Sequence, residues 1–131
     1  METKDREARE VKLFKLEDFL HMENPSPGNL YRPEILTNEQ GAKDLGGMFG
    51  LLPPGSEVPY HYHRKRESVI IAISGEAIEV VEGEEFPFKA GWVIHIPAGE
   101  KHMTVNRSEE DFRYLEFFTC PPVTADFVEV K

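Results

Sequence analysis

Three histidines and one glutamate are the residues of this chain whose types and spacing best suit chemistry. His61 and His63 stand two apart in the strand-like stretch VPYHYH, and a strand projects residues i and i+2 from the same face. Two imidazoles so placed reach a single metal ion; without a metal they make two partly buried, hydrogen-bonded histidines. A third imidazole, His102, follows the turn residues Pro97-Ala98-Gly99 at the start of another strand-like stretch. It completes a three-histidine set if its strand lies beside the first pair. Glu67 follows the basic run Arg64-Lys65-Arg66 and opens an apolar segment. The other candidates read as structural. His95 alternates with Ile94 and Ile96 inside a strand, His21 precedes the helix-breaking ENPSPGN, and Cys120 before Pro121-Pro122 is a small apolar filler. No nucleophile elbow, phosphate loop or dinucleotide fingerprint is present.

The two histidine-bearing stretches resemble the paired motifs of the cupin superfamily. The first motif is matched by Gly55, SEVPY, His61-Tyr62-His63, RKR, Glu67 and Gly75; the second by Gly91, WVIHI, Pro97-Ala98-Gly99, EK, His102, MTV and Asn106. The resemblance implies a double-stranded β-helix, or jelly-roll barrel, with a metal held by His61, His63, Glu67 and His102. It also implies pairing into a homodimer, for which the alternating residues 11–16 offer an edge-pairing strand. One departure stands out. Glu67 lies one residue farther from Gly75 than the pattern has it, and Ser68 holds the usual distance. The faces of the strand offer a choice between them. Glu67 shares a face with Val69, Ile71 and Ile73, while Ser68 shares one with Ile70, Ala72 and Ser74. The first face is bulkier, so Glu67 is expected inward as a ligand, with a bulge or longer turn near Arg64–Arg66 absorbing the extra residue. Ser68, or no fourth protein ligand, is the alternative.

The elements that must position these side chains read as all-β. From about Gly47, short apolar segments alternate with Gly and Pro breaks at intervals of about ten residues, as in an antiparallel sandwich or barrel. Residues 47–131 are assigned to the barrel and residues 1–46 to an arm, an edge strand and a short helix near residues 16–22, all within one domain. FVEVK offers a last strand. Thr104 should share the inward face of His102, and Met48 or Phe49 should line the interior with Met103 or Val105.

Three imidazoles and a carboxylate suit a divalent first-row metal (Mn, Fe, Ni, Co, Cu or Zn) with positions left open for a small molecule. Two function classes follow: a metal-dependent dioxygenase, decarboxylase or isomerase on a small substrate, or a non-catalytic module that binds or senses a small ligand. A formal net charge of -9 argues against nucleic-acid binding. No apolar run approaches the ~20 residues needed to cross a bilayer. With one cysteine and no apolar leader core, a cytoplasmic setting is expected. The run Arg64–Arg66 is either a solvated turn or a positive guide for an anionic, carboxylate-bearing ligand near the barrel mouth.

Overall fold

The computed structural model describes residues 11–131. Among the described residues, ten strands make two five-stranded antiparallel sheets. The first has the order β1 (Glu34–Leu36), β2 (Leu45–Leu52), β9 (Phe112–Thr119), β4 (Ser68–Ser74), β7 (Val93–Ile96). The second has the order β10 (Val128–Glu129), β3 (His61–Tyr62), β8 (His102–Val105), β5 (Glu76–Val81), β6 (Glu84–Lys89). This is the jelly-roll barrel expected from the sequence. The arm expected over residues 1–9 lies outside the described residues.

The breaks fall where the backbone demands them. Gly75 separates β4 from β5 at φ 81°, and a Cβ there would run into the Asp111 carbonyl, so only glycine fits. Asn106 closes the far end of β8. Its amide nitrogen donates to the carbonyls of Leu52 (2.8 Å) and Glu110 (2.7 Å), and its oxygen accepts the Ser108 N–H (2.9 Å).

The first sheet is apolar on both faces. Inward, Leu52, Ile70, Ala72, Phe112 and Tyr114 pack against Val58, Ala77 and Phe88 of the opposite side. Outward, Phe49, Leu51, Ile73 and Leu115 pack under Phe19, with Phe14, Met22 and Tyr31 around them. The N-terminal segment therefore covers the outside of this sheet. Residues 11–15 do so as irregular chain followed by a 3₁₀ turn at Leu16–Phe19, in place of the short helix expected near residues 16–22; β1 supplies the edge strand within residues 1–46.

That second apolar layer overturns the face assignment of β4. Ser68, Ile70 and Ala72 point into the barrel, while Val69, Ile71 and Ile73 point out. Side-chain bulk misled because the outward face also acquires an apolar cover. Met48 is the inward member of its pair and Phe49 the outward one; Thr104 is buried beside the His102 position, whereas Met103 and Val105 are only half-buried.

Candidate metal centre

His61 pairs directly with His102 across β3 and β8, and His63 follows His61 on the same face. The three imidazoles converge, with ring centroids 4.8 Å (His61–His63), 4.2 Å (His61–His102) and 5.6 Å (His63–His102) apart. One ligand nitrogen from each lies within 4.8 Å of the others, and all three residues are buried.

The backbone fixes which nitrogen faces inward. Nδ1 of His61 donates to the Pro59 carbonyl (2.6 Å), Nδ1 of His63 to the Asp126 carbonyl (2.6 Å) and Nδ1 of His102 to the Glu100 carbonyl (2.8 Å). A carbonyl only accepts, so each Nδ1 carries the proton and each Nε2 of the neutral ring keeps its lone pair. Burial favours that neutral form. Desolvation, then the neighbouring His102, lowers His61 to about 3. Burial likewise lowers His63 and His102, partly opposed by their bonds to the Asp126 and Glu100 carbonyls. Three neutral, pre-oriented imidazoles are the donor set a first-row divalent metal takes.

Glu67 does not join them. Its carboxylate lies on the exposed outward face and meets Nε2 of His95 at 2.8 Å. The cause is register: Ser68 pairs with Ile96 and Phe118, and its neighbour Val69 with His95 and Phe117, so alternation turns Glu67 away. Ser68 takes the inward place, buried with its hydroxyl unpartnered among the described residues. His95 is a surface partner of Glu67, in keeping with a structural role.

The basic run divides. Arg66 is buried, and its guanidinium donates to the carbonyls of Thr119, Cys120, Pro122, Val123 and Ala125 while lying 4.3 Å over the Phe118 ring. It clamps the loop after β9 and is spent as an anion guide. The backbone N–H groups of Arg64, Lys65 and Arg66 all donate to the Asp126 carboxylate. The clamp and this turn together hold the Asp126 carbonyl against His63. Phe127, the next residue, stacks on the His61 ring at 4.6 Å.

Four inward-facing polar residues, Glu79, Glu116, Arg32 and Tyr114, escaped the sequence reading. Glu79 is fully buried opposite Thr104, whose hydroxyl donates to it at 2.6 Å; desolvation pushes its carboxyl up to about 8. Glu116 lies inward between Met48 and Ile70. Arg32 donates from Nε to the buried Tyr114 hydroxyl at 3.2 Å. A signal existed for Glu116: it interrupts an otherwise aromatic face of Phe112, Tyr114 and Phe118 at strand spacing.

The Cupin domain family model matches residues 48–118, which spans both histidine motifs and more than half of the chain. The chain belongs to the cupin family. Auxin-binding protein 1 of Arabidopsis thaliana is 29% identical to this cupin over 91 residues, covering 63% of this chain and 46% of that protein. This cupin spans less than half the length of the curated relatives it matches. Among solved structures, a conserved protein with a double-stranded β-helix domain from Klebsiella pneumoniae superposes with a TM-score of 0.73 at 24% identity, over 93% of this chain and 99% of that one, a likeness of fold. A structure described as a predicted oxalate decarboxylase, from Thermotoga maritima, gives a TM-score of 0.67 at 26% identity over 72% of this cupin and 83% of that chain.

Proposed function

We propose that this cupin is a metal-dependent enzyme acting on a small molecule, of the dioxygenase, decarboxylase or isomerase class, with His61, His63 and His102 holding a divalent first-row metal. The observation that carries the reading is the convergence of three buried Nε2 atoms, each imidazole tied at Nδ1 to a main-chain carbonyl. Nothing in packing explains it, since apolar side chains would fill the same space without the cost of burying polar rings. When bound, such a metal supplies Lewis acidity, or oxygen activation if it is iron or copper. The chain's own residues then define the rest of the pocket. With Glu67 outside and Ser68 inward, no carboxylate from β4 joins the set, which leaves more positions for a ligand than the three-histidine, one-carboxylate arrangement. Glu79, held protonated near neutral pH beside Thr104, is a proton carrier one pleat step below His102. The description of the Thermotoga maritima neighbour as a predicted oxalate decarboxylase supports an enzymatic reading.

Elemental analysis of protein purified without chelator, followed by titration with Mn²⁺, Fe²⁺, Ni²⁺ and Zn²⁺, tests the metal. About one equivalent per chain is expected, lost in His61→Gln and His102→Gln. Stoichiometric binding that survives both substitutions, or no binding of any of the four, overturns it. A second reading, a non-catalytic ligand-binding cupin, takes its support from the relative named as an auxin-binding protein. Oxygen-uptake and decarboxylation panels on the loaded protein separate the two: saturable ligand binding without turnover favours the second.

A further inference from the structure

Among the described residues, the half-buried, inward-turned Arg32 is a cation whose hydrogen-bonding capacity is largely unspent. Arg32 lies between two pinned backbone positions. Tyr31 and Leu51 exchange hydrogen bonds of 3.1 and 2.8 Å, and the Phe49 N–H donates to the Pro33 carbonyl at 3.0 Å. Tyr31 packs outward with its ring 6.2 Å from that of Phe49, so alternation turns Arg32 the other way, between the sheets. There it meets Tyr114, whose ring has room because Gly50 opposite carries no side chain; a Cβ at that position would collide with the ring. Nε of Arg32 is committed to the Tyr114 hydroxyl. Its two terminal nitrogens have no hydrogen-bond or ion-pair partner among the described residues.

The contrast with Arg66 is informative. Arg66 is buried and Arg32 half-buried, but Arg66 spends its donors on five main-chain carbonyls, as a structural cation does. Arg32 keeps two terminal amino groups free, in the planar fork that matches a carboxylate. It also stands close enough to the metal-ready histidines to help lower His61. The local charge agrees. The chain as a whole has a formal net charge of -9, yet among the described residues the inward-turned Arg32 faces one buried ionised carboxylate, Glu116, while Glu79 is held neutral near pH 7 and Arg66 is spent on the loop after β9. A bound divalent metal would tip that balance to positive. A pocket positive within an acidic protein selects anions.

We propose that Arg32, positioned by Tyr114, is the anion-recognition residue of this barrel, and that the pocket takes a small carboxylic acid with its carboxylate on the Arg32 fork and a second oxygen group toward the three histidines. The second contact rests on the metal reading; the first does not.

Malonate serves as the probe and malonamide, of the same size but neutral, as its control. Both are titrated calorimetrically into Mn²⁺-loaded protein and into metal-free protein. Malonate is expected to bind at least tenfold more tightly than malonamide. Arg32→Gln should weaken malonate at least tenfold without changing Mn²⁺ stoichiometry, Arg32→Lys should fall between, and the exposed pair Arg64→Gln/Lys65→Gln should bind as the parent does. Malonate binding unchanged in Arg32→Gln, or absent from the parent, overturns the proposal. Circular dichroism of each variant confirms folding, and Arg32→Lys carries the comparison if Arg32→Gln does not fold. If the parent fails to take up Mn²⁺ but metal-free malonate binding still depends on Arg32, the metal reading falls and the anion site stands.

Discussion

Replacing Arg66 by Gln tests whether the loop over the histidines is held by one side chain. Arg66 is 3% exposed, so its hydrogen bonds to five carbonyls are not screened as surface pairs are. Hydrogen bonds to a charged group contribute about 1.5–3 kcal/mol each, but five on one guanidinium do not add. The nearer guide is the cost of removing one partner from a buried charged network, about 3–5 kcal/mol. Unfolding entropy of ~2.1 cal/mol/K per residue, taken over 131 residues, makes each kcal/mol worth about 3–4 °C in Tm. Arg66→Gln should therefore melt roughly 11–18 °C below the parent. A second effect follows from Asp126, whose carbonyl orients His63 and whose carboxylate caps the turn carrying Arg66. Loosening that partner should weaken metal binding about 10–100-fold, as loss of an orienting hydrogen bond does. Thermal melts, metal titration and hydrogen exchange across residues 119–127 read the three consequences. A melting point within about 3 °C of the parent, with unchanged metal affinity, would refute the clamp.

Four further outcomes are expected. In metal-free protein, Glu79 raised to about 8 stabilises the fold below its unfolded pKa of ~4.3 and loses that contribution as pH climbs through 8, while His61 lowered to about 3 stabilises above ~6.5 and loses its contribution as pH falls toward 3. Urea unfolding against pH should thus show a plateau between pH ~4.3 and ~6.5, where the two slopes cancel, with stability falling on either side, and Glu79→Gln should remove the alkaline decline while keeping the acid one. Glu67→Gln should leave metal stoichiometry and affinity unchanged, measured by titration, because the carboxylate faces His95 outside the barrel. Gly50→Ala should destabilise by about 1–3 kcal/mol in chemical denaturation, since Tyr114 must move from over it. Val11 and Leu13 are 88% and 80% exposed, apolar side chains with no cover among the described residues; light scattering should give a dimer mass, reduced toward 15.0 kDa by Leu13→Asp.

The histidine set was legible because it depends on two things a sequence carries directly: strand parity, which aligns His61 with His63, and motif spacing, which brings in His102. The barrel followed from regular breaks at residues such as Gly75 and Gly91. The choice between Glu67 and Ser68 was not legible from bulk, because the N-terminal segment lays Phe19 over Ile73 and makes the outward face apolar too. Counting back from Gly75 to Ser68, the spacing rule alone, gave the observed orientation. Arg66 was read with its neighbours as part of a charge run, yet its role depends on carbonyls more than fifty positions away. Arg32 and Glu79 lie in stretches whose polarity suits a surface strand, and only the sheet-to-sheet packing turns them inward.

The acceptors that orient the three imidazoles belong to the main chain at Pro59, Glu100 and Asp126. A side-chain acceptor disappears with one codon change, but a carbonyl persists whatever residue stands at its position, provided the turn keeps its shape. The donor nitrogens of this barrel are thus insulated from sequence drift in their own surroundings. Substitutions at Arg32, Met48, Ser68, Glu79 or Glu116 can remodel what the pocket accepts while leaving the tautomers in place. A chain built this way separates the part of the site that must stay fixed from the part free to acquire a new ligand.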